Sequence, residues 1–157
     1  MSNSHPAVVR IQELHKQAFE GGAWHGPALL ELVEEIHVDH AAAKPIAHAH
    51  SIWEIVLHIA AWQDAVLRRL NGEAVDLDGD QDWPPVNDIS EGAWDEAIER
   101  LKTGHKKLAQ RIAALTDADL LNKVPGRDHT VYMTVHGLIQ HNLYHAGQIA
   151  ILKKSER

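Results

Sequence analysis

The last third of the chain contains the run Gly137-Leu138-Ile139-Gln140-His141-Asn142-Leu143-Tyr144-His145-Ala146-Gly147-Gln148. Two of its histidines, His141 and His145, are four residues apart, so on a helix both imidazoles lie on one side and can reach one point. Apolar residues recur around this pair at helical spacing, namely Val131, Val135, Leu138, Ile149 and Leu152. The pattern predicts an amphipathic helix whose apolar face carries two histidines.

The spacing of these two histidines is weak evidence by itself. The chain has 13 histidines among 157 residues, and at that density about one pair four residues apart arises by chance. A histidine inside an apolar stripe is costly unless its nitrogens have partners. Two interpretations follow: a core histidine bonded to a polar neighbour, or a ligand of a divalent metal, for which imidazole is a common donor.

Helical signals dominate the rest of the sequence. Ser51 and Glu54 form a capping box, and Ser90 precedes a stripe of apolar residues at alternating spacings of three and four. Helices are predicted over about His5 to Glu20, Pro27 to Ile36, Ser51 to Leu70, Ser90 to Leu115 and Thr130 to Lys154. The segment Ala41 to His50 has no clear period, and Asp76 to Asp88 reads as an acidic loop. We therefore predict one all-α domain over residues 1–157, a four-helix bundle with long connections.

Composition excludes several classes of function. There is no cysteine, which rules out thiolate metal sites and a cysteine nucleophile. The net charge is −7 without a basic cluster, so we expect no nucleic-acid partner. No long apolar run predicts a membrane span. The polar start does not resemble a secretory signal, and we expect a cytoplasmic protein.

A catalytic metal site usually has three protein ligands, so a third must be found. His58 lies in the apolar helix that begins at Ser51, and His105 lies in the stripe that follows Ser90. Helical periodicity does not decide which of these two histidines is the third ligand. We expect four histidines at the surface or at caps: His5, His15, His37 and His40. Four others fall in loops or at helix ends: His25, His48, His50 and His129.

Three stretches together resemble the DinB family of metal-binding four-helix proteins, the DinB/YfiT-like superfamily. They are Trp24-His25-Gly26-Pro27, His50-Ser51-Ile52-Trp53-Glu54-Ile55-Val56-Leu57-His58-Ile59 and Gln140-His141-Asn142-Leu143-Tyr144-His145-Ala146-Gly147-Gln148-Ile149. The resemblance implies a metal triad of His58, His141 and His145, with His105 in the core or lining a pocket. Zinc and nickel suit such a site best, while manganese and iron(II) also accept imidazole.

The resemblance implies a homodimer and two kinds of function. One is a metal-dependent transferase that uses a low-molecular-weight thiol, or a hydrolase, acting on a small electrophilic molecule. The other is a non-catalytic metal-binding stress-response module.

A dinuclear site is disfavoured, because ferritin-like sites need two Glu-x-x-His pairs and only Glu34 to His37 supplies one.

Several further residues have two readings each. His25 and His50 are either pocket-lining or solvated, and Glu54 is explained by the capping box without any chemistry. Tyr144 and Gln148 lie near the pair as secondary candidates, or pack in the ordinary way. Three tryptophans in or beside loops are candidates for a pocket rim or a subunit contact: Trp24, Trp83 and Trp94.

Overall fold

The structure is a computed structural model that describes residues 6–155. Its helices are α1 (Ala7–Glu20), α2 (Leu29–Val33), α3 (Val38–Ala42), α4 (Ile52–Leu70), α5 (Gly79–Asp82), α6 (Glu91–Ala113) and α7 (Val131–Leu152). The described residues hold no β-strand, only an isolated bridge between Lys123 and Thr130. The prediction of an all-α fold is confirmed. None of the helices in this range combines the length and apolar character needed to cross a membrane.

The four long helices pack against one another, α1 and α4 each contacting both α6 and α7. Their buried apolar side chains form two clusters. One includes Ile59 and Ile149, and the other includes Leu108 and Leu138. In α7, the first cluster begins at Ala146 and the second ends at Ile139. The two histidines of the opening stretch therefore lie where one apolar cluster gives way to the other.

Helix α4 begins as the sequence predicts. The Ser51 hydroxyl accepts a hydrogen bond from the Glu54 amide at 3.1 Å, and the Glu54 carboxylate accepts one from the Ser51 amide at 2.8 Å. This reciprocal pair satisfies two backbone groups that no helical partner can reach. Glu54 also accepts a hydrogen bond from Lys44 at 2.7 Å. The interpretation of Glu54 as a capping residue is confirmed.

The short helices and the end of the last long helix differ from the predictions. Helix α2 begins at Leu29, two residues after Pro27, because the Glu31 carboxylate accepts a hydrogen bond from the Ala28 amide and sets the start there. Helix α3 extends into the segment that had no clear period, and α5 is one helical turn inside the acidic loop. Helix α7 ends at Leu152, two residues before Lys154. The predicted start of the first helix at His5 lies outside the described residues.

Two residues are more buried than the sequence suggests, and the expectation for His15 is wrong. His15 was expected at the surface but is 1% exposed, and its ring stacks on that of His105 at 4.5 Å between centroids. Trp94 was a candidate for a pocket rim but is buried, and its indole N–H donates to the Ile36 carbonyl at 2.9 Å. In both cases the helical stripe on which the residue lies faces the core.

Candidate metal centre

Helices α4 and α7 bring three imidazoles together. His58 lies near the middle of α4 and is buried, while His141 and His145 lie one turn apart in α7. The apolar stripe of α7 fixes the orientation of its pair, since Val135, Leu138 and Ile149 all lie in the core. The structure therefore places the three predicted ligands on facing helices.

The ring nitrogens of this triad converge. One nitrogen from each of His58, His141 and His145 lies within 4.8 Å of the other two, and no further group of three such side chains is found between residues 6 and 155. The Nε2 atoms of His58 and His141 are 2.9 Å apart. Two imidazole lone pairs at that distance repel unless a proton or a cation lies between them. The donor set is thus of the size and chemistry that a single ion requires.

Two of the imidazoles are held by their outer nitrogens. His58 Nδ1 donates to the Asp82 carbonyl oxygen at 2.6 Å and lies 3.2 Å from the Asp82 carboxylate. His145 Nδ1 donates to the Gln148 side-chain oxygen at 2.7 Å. Because a carbonyl only accepts, each Nδ1 carries the proton and each Nε2 keeps its lone pair. Such outer hydrogen bonds set the tautomer and ring orientation of metal-binding histidines.

The segment around α5 covers one side of the triad. Trp83 stacks on the His58 ring with centroids 3.8 Å apart, and His50 stacks on the opposite side of Trp83 at 3.6 Å. The Trp62 indole N–H donates to the Asp82 carboxylate at 2.7 Å, which ties this segment to α4. His50 and Trp83 thus lie at the rim of the site, as the sequence interpretation allowed.

Burial keeps the three imidazoles neutral. Desolvation, with smaller contributions from the nearby rings of His145 and His58, lowers the pKa of His141 to about 4. Burial also lowers the pKa of His58, against the opposing effect of its hydrogen bond to Asp82, and it lowers the pKa of His145. Neutral imidazole is the form that binds a metal ion. At neutral pH the site is therefore ready to accept a cation without losing protons first.

The rival histidine lies elsewhere. His105 is buried between the rings of His15 and Phe19, and its Nε2 is 3.1 Å from the Glu20 carboxylate. Among the described residues it does not belong to the three-histidine group. His105 is thus a core residue, as the family resemblance implied. His25 is exposed in the loop before α2 and, among the described residues, is not a member of the three-histidine group.

Sequence reasoning missed Asp82 as a functional candidate. Its main chain and its side chain both contact residues at the triad, yet it lies in an acidic loop among four other aspartates, where no periodicity marks it. Gln148 was found, because it lies one turn after His145 on the same helix face. Tyr144 packs edge-on to His145 at 5.1 Å and is exposed, so ordinary packing describes it.

Gln148 offers a direct test of the outer hydrogen bonds. Gln148→Leu is expected to weaken metal affinity about 10- to 100-fold, because the His145 ring loses the acceptor that fixes its tautomer. Competition against a chromophoric chelator measures this. Gln140→Leu is the matched control, since Gln140 lies on the same helix and is exposed. Equal affinities for the two variants would contradict the role given to Gln148.

Comparison with known proteins agrees with these observations. The profile of the DinB superfamily matches residues 23–149, a range that contains all three histidines. No curated protein and no solved structure gives a significant match. Because the matched range covers well over half of the chain, this protein belongs to the DinB superfamily.

Proposed function

We propose that this protein is a metal-dependent enzyme whose mononuclear site is formed by His58, His141 and His145. The observation that carries this proposal is the convergence of three neutral imidazoles to within 4.8 Å. Membership of a metal-binding superfamily supports it. Zinc or nickel fits the donor set best, while manganese and iron(II) also bind imidazole. Three protein ligands leave a coordination position for water or substrate.

The reaction we propose is attack of a low-molecular-weight thiol, or of water, on a small electrophilic molecule. When bound, the ion lowers the pKa of the thiol or water so that the nucleophile forms at neutral pH. The chain itself does the positioning: Asp82 and Gln148 orient the rings of His58 and His145. Trp83 covers the His58 ring and keeps water from that side.

Turnover of a model electrophile tests the enzymatic part. Metal-loaded protein is incubated with monochlorobimane and each of several thiols; the thiolate forms a C–S bond, chloride leaves, and the thiol proton goes to solvent. We expect a metal-dependent rate at least roughly tenfold above the uncatalysed reaction. Hydrolysis of an activated ester tests water as the nucleophile.

Two outcomes would contradict this proposal in different ways. Metal-loaded protein that turns over neither substrate would favour the non-catalytic stress-response module. Protein that binds no metal would remove the site itself. The single domain, the homodimer and the cytoplasmic location expected from the sequence stay predictions.

A further inference from the structure

A cavity of about 300 Å³ lies between α4 and α7, and His141 is among the residues that line it. Its walls are mostly apolar and include Trp62, Val66, Met133 and Leu138. This volume is at the small end of the range for ligand pockets, and apolar walls with few polar groups are typical of them. The cavity is therefore suited to a small molecule with an apolar body that can reach one member of the triad.

Arg69 places a buried positive charge in the wall of this cavity. The residue is 8% exposed, and its Nε and Nη2 atoms donate to the Val75 carbonyl at 3.0 and 2.9 Å. The guanidinium carbon lies 5.3 Å from the centre of the Trp62 ring, which is 5.9 Å from the centre of the His141 ring. The cation and the triad thus flank the same indole.

The charge of Arg69 is poorly compensated by the protein. Its one ion pair within the described part of the chain is with Asp76 at 3.8 Å, and that carboxylate is exposed and pairs more closely with Arg127. The carbonyl of Val75 carries no charge. A buried cation without a close counter-ion is unfavourable, so an anion that entered the cavity would relieve a cost already present in the fold.

We propose that this cavity binds a small carboxylate with an apolar body, its carboxylate on Arg69 and its body against Trp62 and Leu138. The Nη1 group of Arg69 makes no hydrogen bond within residues 6–155, so it has two donors for such an anion. The inference rests on the proposed function only in taking the bound carboxylate to be part of one of the two reactants. Either the electrophile or the thiol can carry the carboxylate.

The probe is 3-phenylpropanoate, compared with its neutral analogue 3-phenylpropanamide. Binding to metal-free protein is measured by calorimetry and by tryptophan fluorescence, to which Trp62 in the cavity wall contributes. We expect the acid to bind at least about tenfold more tightly than the amide, since a charge-assisted hydrogen bond is lost in the amide. Arg69→Met is expected to remove this preference.

A second pair of variants keeps the test decisive if Arg69→Met does not fold. Gly137 lines the cavity on α7, and a Cβ added there meets no atom within 4 Å, so the position accepts a side chain and we expect Gly137→Leu to fill the cavity. Gly92→Leu is the matched control, because Gly92 is an exposed helical glycine on α6 with equally open surroundings. We expect Gly137→Leu to abolish binding of both probes and Gly92→Leu to leave it unchanged.

Equal affinity for acid and amide would overturn the inference, and so would unchanged binding in Gly137→Leu or no binding at about 10 mM probe. Because these measurements use metal-free protein, they are independent of the metal proposal. If the chain binds the acid but takes up no metal, the carboxylate site in the cavity is supported and the proposed function is refuted. In turnover assays, competition with the electrophile or with the thiol would identify which reactant carries the carboxylate.

Discussion

Replacing His145 with alanine is expected to abolish stoichiometric metal binding. Structural zinc sites bind with about 10–16 kcal/mol, so one of three ligands carries roughly 4 kcal/mol and its loss weakens the affinity about a thousandfold. The His145 ring is 4.5 Å from that of His141 and 4.8 Å from that of His58, and no spare histidine joins the group in the described chain. Metal content per chain, determined on protein purified without affinity resin, measures the effect.

Two histidine variants serve as controls. His136→Ala removes an imidazole from the same helix, where the ring stacks on Tyr132 at 5.6 Å and lies outside the triad. His105→Leu removes the rival candidate from α6. Both are expected to keep the full metal content. Metal loss in His105→Leu would move the third ligand to α6, and tight binding by His145→Ala would remove the proposed site.

Local sequence patterns predict much of the fold. The capping box at Ser51 and the apolar stripe of α7 each depend on residues within a few turns of one another, and both are present in the structure. Helix α5 had no such signal, because a single turn among aspartates has neither an apolar period nor a side-chain cap. Short elements of this kind are decided by what they pack against.

The triad shows where local patterns stop being informative. The spacing of His141 and His145 predicts that they share a face, but α4 is apolar nearly all round near His58, so its period cannot orient that residue. The resemblance to a family, and not the spacing, favoured His58 over His105. Asp82 contacts His58 from 24 positions along the chain, a distance at which sequence carries no geometric signal.

The wrong expectation that His15 lies at the surface has an identifiable cause. It lies four residues after Ile11 and three before Ala18, and all three are buried on the same face of α1. The helical period therefore marked His15 as a core residue, whereas the general preference of histidine for the surface led to the opposite expectation. Where the helical period and the general preference of a residue type disagree inside a long amphipathic helix, the period is the better predictor of burial.

The burial of His15 predicts a loss of stability in acid. Its Nε2 has no hydrogen-bond partner, its ring stacks on His105, and the adjacent Glu20 carboxylate is engaged by His105. Burial, with a smaller contribution from the neighbouring His105, lowers the pKa of His15 to about 3. The ordinary pKa of about 6.5 applies in the unfolded chain. Between these two values the unfolded state binds the extra proton, so the free energy of unfolding falls as the pH falls below about 6.5.

His15→Leu is expected to reduce this acid sensitivity by on the order of 3 kcal/mol between about pH 7 and pH 4, because leucine fills a similar volume and cannot take up a proton. Urea unfolding of metal-free wild type and variant at both pH values measures the difference, and the triad histidines contribute equally to both proteins. His25→Leu is the control, since His25 is exposed and should leave the pH dependence unchanged. If His15→Leu loses as much stability in acid as wild type, a proton on His15 does not oppose folding, and the stacked pair of α1 and α6 must tolerate charge.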